Sequence, residues 1–248
     1  MARGRLWIIG CTLAASVALN VLVCHSLWDF YREIQWLRLH PTGWDTSDWT
    51  PRVGGDHDPC QAVVLLLGDS RIAQWDPLPV IQGFRVVNAG VPGATTAQLM
   101  LAADFLMDRV SPSVVVLQIG INDLKTIGIF PQDRDAIVRS CVDNIKTMAE
   151  RIDRRGCRLV VLSVLSPGRP EWQRRWVWSD AIYIAVQEVN DRLKDLLSTH
   201  VAFVDCGTVL SEHGRIRRAY AVDCLHLNRA GYEAMNQYLG SNLDSLFR

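Results

Sequence analysis

From residue 60 onward, short uninterrupted apolar runs alternate with longer mixed segments. The runs are residues 62–67 (AVVLLL), 85–88 (RVVN), 114–119 (VVVLQI), 159–164 (LVVLSV) and 201–204 (VAFV). β-Branched runs of this length, with few polar breaks, suit strands buried on both faces of a parallel sheet. Between them lie helical patterns. Residues 95–108 form one, and 133–155 carry Ile137, Cys141, Ile145, Met148 and Ile152 at helical spacing. Residues 179–197 carry Ile182, Val186, Val189, Leu193 and Leu196, and Asn228 caps a last helix running through residue 246. Strand–helix alternation predicts right-handed crossovers and an α/β fold, a three-layer α/β/α sandwich on a mostly parallel five-stranded sheet. Ligands of such sheets bind beyond the carboxyl ends of the strands. Gly68-Asp69-Ser70, the loop 88–93 and the loop 120–123 each follow a run directly, so three polar, glycine-bearing loops are expected to converge on one edge.

The pattern changes at the N-terminus. Residues 6–27 are predominantly apolar and follow Arg3 and Arg5. As a helix they span roughly 33 Å, enough to cross a bilayer. Trp7 and Trp28 mark the ends, where an aromatic belt sits, and Asn20 and His25 are the costly exceptions. The reading is a transmembrane helix at 1–27, single-pass, with the N-terminus cytoplasmic and the rest extracytoplasmic. Arg32 and Arg38 on the far flank weaken the charge bias. The alternative is a secreted protein after signal-peptide cleavage, with Ala14-Ala15-Ser16 as a weak site. A lipid anchor at Cys11 is discounted because the apolar run before it is too short. Residues 28–59 read as a juxtamembrane connector with Trp28, Trp36, Trp44 and Trp49, an amphipathic helix over 28–39 and a turn-rich stretch at 51–56. Residues 60–248 form the folded domain.

Composition narrows the function. The 248 residues carry 26 basic and 26 acidic side chains, so no basic excess points to nucleic acid. Seven cysteines include no CxxC and no Cys/His cluster at zinc spacing, so no metal site is expected. A Cys206–Cys224 bridge is one candidate pairing, although spacing alone cannot establish its geometry.

Nucleophilic acyl transfer needs a hydroxyl, a histidine to take its proton, a group to orient that histidine and donors for the oxyanion. No GxSxG occurs, so the α/β-hydrolase elbow is absent. Ser70, just past the first strand, is the best-placed hydroxyl; Ser163 and Ser166 follow a later strand but lack neighbouring features. Among His25, His40, His57, His200, His213 and His226, only His226 has an acid three residues before it and a helix start directly after. That DxxH turn can fold Asp223 onto one imidazole nitrogen. Alone, it is equally a capping aspartate beside a surface histidine.

Taken together, Gly68-Asp69-Ser70, Asn88-Ala89-Gly90-Val91-Pro92-Gly93, Gly120-Ile121-Asn122-Asp123 and Asp223-Cys224-Leu225-His226-Leu227 resemble, in order, the four blocks of the SGNH (GDSL-type) hydrolase family. The resemblance covers residues 60–248 and implies a flavodoxin-like SGNH fold and a serine esterase. It implies Ser70 as nucleophile, His226 as base, Asp223 as its orienter, and the Ser70 and Gly93 backbone N–H with the Asn122 amide as oxyanion hole. It calls for no cofactor. The implied substrate is an acetylated glycan, a lysophospholipid or another small ester. An acyltransferase of the same fold acting on envelope polysaccharide, or a non-catalytic binding module, are the alternatives. Asp69, Asn88 and Asp123 read as loop-tying residues. Arg71 departs from the family's commoner apolar residue and reads as a solvent-facing ion pair, or else as a contact to an anionic substrate. The stretch 166–180, with Trp172, Trp176 and Trp178 among arginines, reads either as a substrate wall or as packing onto the domain or membrane.

Overall fold

The computed structural model describes residues 2–43, 51–53, 61–196, 198 and 200–246. Its contacts divide the chain into two units, Met1–Arg38 and Leu39–Arg248.

The first unit belongs to one helix, α1 (Ala2–Leu39). Its part Cys11–Leu39 includes a stretch long and apolar enough to cross a membrane, with none of that stretch buried. A helix of this kind near an N-terminus has the composition of a membrane span or of a signal sequence. Asn20 is satisfied within the helix, its Nδ2 donating to Ser16 O at 2.7 Å. His25 Nδ1 lies 2.9 Å from Asp29 Oδ2, one turn on. The helix passes residue 27 without a break, so the first part of the connector is helical. Residues 44–50 and 54–60 lie outside the described residues, and with them Trp44, Trp49, His57, Cys60 and the second half of the turn-rich stretch.

The second unit is built on a sheet of β1 (Arg52–Val53), β2 (Ala62–Gly68), β3 (Phe84–Gly90), β4 (Val114–Gln118), β5 (Arg158–Leu162) and β6 (Val201–Val204), in the order β1-β3-β2-β4-β5-β6. The last five are mutually parallel, as the apolar runs predict. Their order is that of flavodoxin-like sheets, with the chain reversing direction beside β2 and β4. The strand β1 is an addition, pairing antiparallel with β3 through Arg52 opposite Asn88 and Val53 opposite Val87.

The helices are α2 (Ser70–Ala73), α3 (Thr96–Val110), α4 (Ile121–Leu124), α5 (Arg134–Arg154), α6 (Ala181–Leu193), α7 (Gly207–Leu210) and α8 (Arg229–Leu246), with a small hairpin of β7 (Ser211–Glu212) and β8 (Arg215–Ile216) after α7. Strand side chains alternate between two cores, as a period of two requires. Leu65, Leu67, Val115, Leu117 and Val161 face α3, α5 and α6, whereas Leu66, Val116, Val160 and Leu162 face Trp75, Tyr232, Met235 and Leu239 on the other side. The entry to α3 is fixed by a capping box: Thr95 Oγ1 accepts from Gln98 N at 3.3 Å and Gln98 Oε1 accepts from Thr95 N at 3.1 Å.

Register sets the site. Gly68 lies opposite both Gly90 and Gln118, so β2, β3 and β4 end level and the loops beyond them start from one height. All six cysteines among the described residues are free, so Cys206 and Cys224 do not pair. Burial pushes the Cys224 thiol up to about 12 and raises Cys141 and Cys206 as well, which leaves them as packing groups.

Candidate active site

Ser70 opens α2 directly after β2 and is half-buried. Asp69 holds the turn that presents it, with Oδ1 accepting from Arg71 N at 2.9 Å. Asn88 braces the same turn: its Nδ2 donates to Ile72 O at 2.6 Å, while its Oδ1 accepts from Gly90 N at 2.9 Å. Asp123 ties α4 to the start of α3, accepting from Thr96 N at 2.9 Å and from Thr96 Oγ1 at 2.6 Å. All three side chains therefore act as loop ties.

The turn Asp223–His226 comes from the far end of the chain. Ser70 Oγ and His226 Nε2 are 3.0 Å apart across 156 residues. On the other side of the ring, His226 Nδ1 is 2.8 Å from Asp223 Oδ2. The second carboxylate oxygen of Asp223 accepts from Leu225 N at 2.7 Å and from His226 N at 2.8 Å. Partial burial pushes the Asp223 carboxyl up, but the hydrogen bonds from His226 and from these two amides outweigh it and hold the group below its ordinary value. It therefore stays a carboxylate at neutral pH and fixes the proton of the ring on Nδ1. That leaves Nε2 to accept from the Ser70 hydroxyl.

Gly93 takes a left-handed backbone (φ 75°), where a side chain would be strained. The next residue, Ala94, accepts through its carbonyl from Asn122 Nδ2 at 2.9 Å, so the 88–93 loop and α4 are joined. Asn122 is buried, and its Oδ1 accepts from Lys125 Nζ at 2.6 Å.

The expectation for Arg71 is corrected. It faces neither solvent nor substrate and is 1 % exposed. Its Nε donates to Leu225 O at 2.8 Å and its Nη1 to Leu165 O at 2.7 Å, while Tyr232 Oη donates to Arg71 O at 2.7 Å. A buried cation is retained only where oxygens replace its water. Arg71 thus fastens the carbonyl just before His226 to the turn that carries Ser70. The only signal in the sequence was the charge standing next to the serine, which says nothing of burial.

The 166–180 loop is stapled to the same turn. Gly168 N donates to Cys224 O at 2.8 Å, and Cys224 N donates to Glu171 Oε1 at 2.9 Å. Arg174 reaches Glu171 Oε2 at 3.3 Å and Asp223 Oδ2 at 3.9 Å. Of these two, Arg174 belongs to the aromatic and basic set that reads as a candidate substrate wall, whereas Glu171 carries no signal in the sequence. The indoles of Trp172 and Trp176 are 70 % and 88 % exposed, so they do not pack onto the domain, whereas Trp178 packs against Tyr183 and the core. Elsewhere, the His200 ring pairs with Asp153 at the surface, Nδ1 to Oδ1 at 3.1 Å.

Comparison with known proteins matches residues 66–234 to the model of a GDSL-like lipase/acylhydrolase family. No curated protein matches the chain. Among solved structures, one from Streptococcus pneumonia named for platelet activating factor superposes with TM-score 0.61 at 22 % identity, covering 91 % of this chain and 99 % of that one. A GDSL-like lipase from Bacteroides thetaiotaomicron gives 0.56 at 18 %, covering 77 % and 92 %. An acetylxylan esterase from Geobacillus stearothermophilus gives 0.56 at 17 %, covering 75 % and 94 %. Identities this low speak to the fold, which is the SGNH-like sandwich.

Proposed function

The chain belongs to the GDSL-like lipase/acylhydrolase family and is a hydrolase of ester bonds, and we propose that it works as a serine esterase through Ser70, His226 and Asp223. The observation that carries this reading is the unbroken relay from Ser70 Oγ through the imidazole to the Asp223 carboxylate, at 3.0 and 2.8 Å. In this scheme Ser70 Oγ attacks the acyl carbonyl while its proton passes to His226 Nε2. The imidazolium that forms is paired with Asp223, which stays ionised. The tetrahedral oxyanion lies against the backbone N–H of Ser70 and Gly93 and the free N–H of Asn122. His226 then protonates the leaving alkoxide, an acyl-enzyme remains, and water repeats the sequence in reverse order of proton transfer. Nothing in these steps calls for a metal or an organic cofactor.

The substrate in this proposal is a small or glycan-borne ester, or a lysophospholipid, entering beside the exposed indoles of Trp172 and Trp176. The apolar part of α1 anchors the protein in a membrane, single-pass, with Arg3 and Arg5 favouring a cytoplasmic N-terminus.

The test uses a serine-directed fluorophosphonate and nitrophenyl esters from acetate to palmitate. Wild type labels and turns over; Ser70→Ala does not label and loses at least about 10,000-fold in kcat, and Asp223→Asn loses about 10,000-fold. Wild-type turnover by Ser70→Ala would refute the scheme. The preferred chain length in the series separates a deacetylase from a lipase-like enzyme.

A further inference from the structure

Lys125 has no part in the chemistry described so far. It follows α4 without a break, opening the 3-10 helix Lys125–Gly128. Three residues separate it from Asn122, a spacing that brings two helical side chains together. Its Nζ donates to Asn122 Oδ1 at 2.6 Å, and Asn122 Nδ2 donates to Ala94 O at 2.9 Å. A primary amide offers one acceptor oxygen and two N–H groups. Here the oxygen is occupied by a cation and one N–H by a carbonyl, so one N–H is left over. Turning the amide over would set its NH2 against an ammonium and its oxygen against Ala94 O. Asn122 is only 4 % exposed, so little water reaches it to relieve that misfit.

We infer that Lys125 is a positioning residue for the oxyanion hole, which locks the Asn122 amide in one orientation and polarises its remaining N–H. An ammonium on the amide oxygen draws electron density from the nitrogen and strengthens that N–H as a donor, and a half-buried setting magnifies the effect. The same pair of bonds ties the Asn122 donor to the residue after Gly93, so two of the three proposed donors keep a fixed spacing. Lys125 also acts on the Asp69 carboxyl beside the nucleophile, which burial raises and which Arg71 and Lys125 draw back down. The inference rests on the oxyanion role proposed for Asn122.

The experiment measures 4-nitrophenyl acetate hydrolysis by the full chain and by Lys125→Met, Lys125→Arg, Asn122→Ala and the Lys125→Met/Asn122→Ala double variant. Lys125→Met is expected to lower kcat roughly tenfold with KM within about twofold, a fraction of the 100- to 1,000-fold loss typical when an oxyanion donor is removed. Lys125→Arg restores most of the rate. On the Asn122→Ala background, Lys125→Met changes the rate by less than about twofold, because its effect runs through the missing amide. An unchanged kcat in Lys125→Met overturns the inference. So does a raised KM with kcat intact, which marks a substrate contact, and so does a tenfold loss that persists without Asn122, which marks a general structural effect. Thermal unfolding checks that the variants fold, and Lys125→Gln replaces the methionine variant if that one does not. If Ser70→Ala and Asn122→Ala both keep full activity, the triad scheme itself fails; if both are impaired and Lys125→Met is not, only the role of Lys125 falls.

Discussion

Asp123 is 2 % exposed, and burial pushes its carboxyl up to about 6 from the ordinary 3.8, while hydrogen bonds from Thr96 pull the other way. Between those two values the folded protein holds a proton that the unfolded chain has released. Stability contributed by this group is therefore full below about pH 4 and declines as pH rises to about 6, by about 3 kcal/mol in all. Asp123→Asn lacks that titration. Urea unfolding of both proteins from pH 4 to 7 should show the advantage of wild type over the variant shrinking as pH rises, and a constant difference would contradict the assignment. At this scale Ser70, His226 and Asp223, which lie 3.0 and 2.8 Å apart in turn, stood out in the sequence because each sits in a short block whose type and order carry the signal. Asp69, Asn88 and Asp123 were legible as ties because short polar side chains after strands bond to local backbone. Arg71 was not, because its burial depends on carbonyls 94 and 154 residues away, which no local pattern encodes. Lys125 escaped for a different reason: its partner is near in sequence, but its meaning depends on which way the Asn122 amide faces.

Among the elements, strand runs and helix periods place the five parallel strands and four long helices within a few residues of their observed ends. The strand β1 and the β7–β8 hairpin carry two residues per strand, too few to display any period. The 166–180 loop left two readings open, and the structure separates its tryptophans: Trp172 and Trp176 are exposed, whereas Trp178, just past the 3-10 helix, packs against Tyr183. In the 3-10 helix Trp172–Val177, Trp172, Gln173, Arg175 and Trp176 are exposed, while Arg174 and Val177 turn inward. The packing of α2 on β3 gives a sharp test. A Cβ placed on Gly90 would lie 2.1 Å from Ala73 N and 2.5 Å from Ala73 Cα, both backbone and unable to yield cheaply. Gly90→Ala should cost about 3 kcal/mol of stability, read as a lower urea midpoint with an unchanged slope, and should lower activity because α2 carries Ser70. A variant as stable and as active as wild type would show that α2 can move aside.

For the molecule as a whole, the division at Leu39 matters more than a boundary near residue 60. Arg52 donates from Nη2 to Trp75 O, and β1 covers the outer edge of β3, so a fragment cut just before β2 loses both. The fragment 39–248 is expected to be soluble and to hydrolyse nitrophenyl acetate at a rate within about twofold of the full chain. A fragment beginning at residue 61 should unfold at lower urea by about 1–2 kcal/mol, in keeping with one lost charge-assisted hydrogen bond. Equal unfolding midpoints for the two would assign β1 no stabilising part. The proposed relay, finally, is assembled from unequal halves: His226 and Asp223 share one tight turn, whereas Ser70 arrives after β2. Mild loosening will therefore open a single seam, between hydroxyl and ring, and leave the imidazole–aspartate couple intact on its own side. Arg71 is the rivet across that seam, so activity should vanish, and return, well before the fold itself gives way.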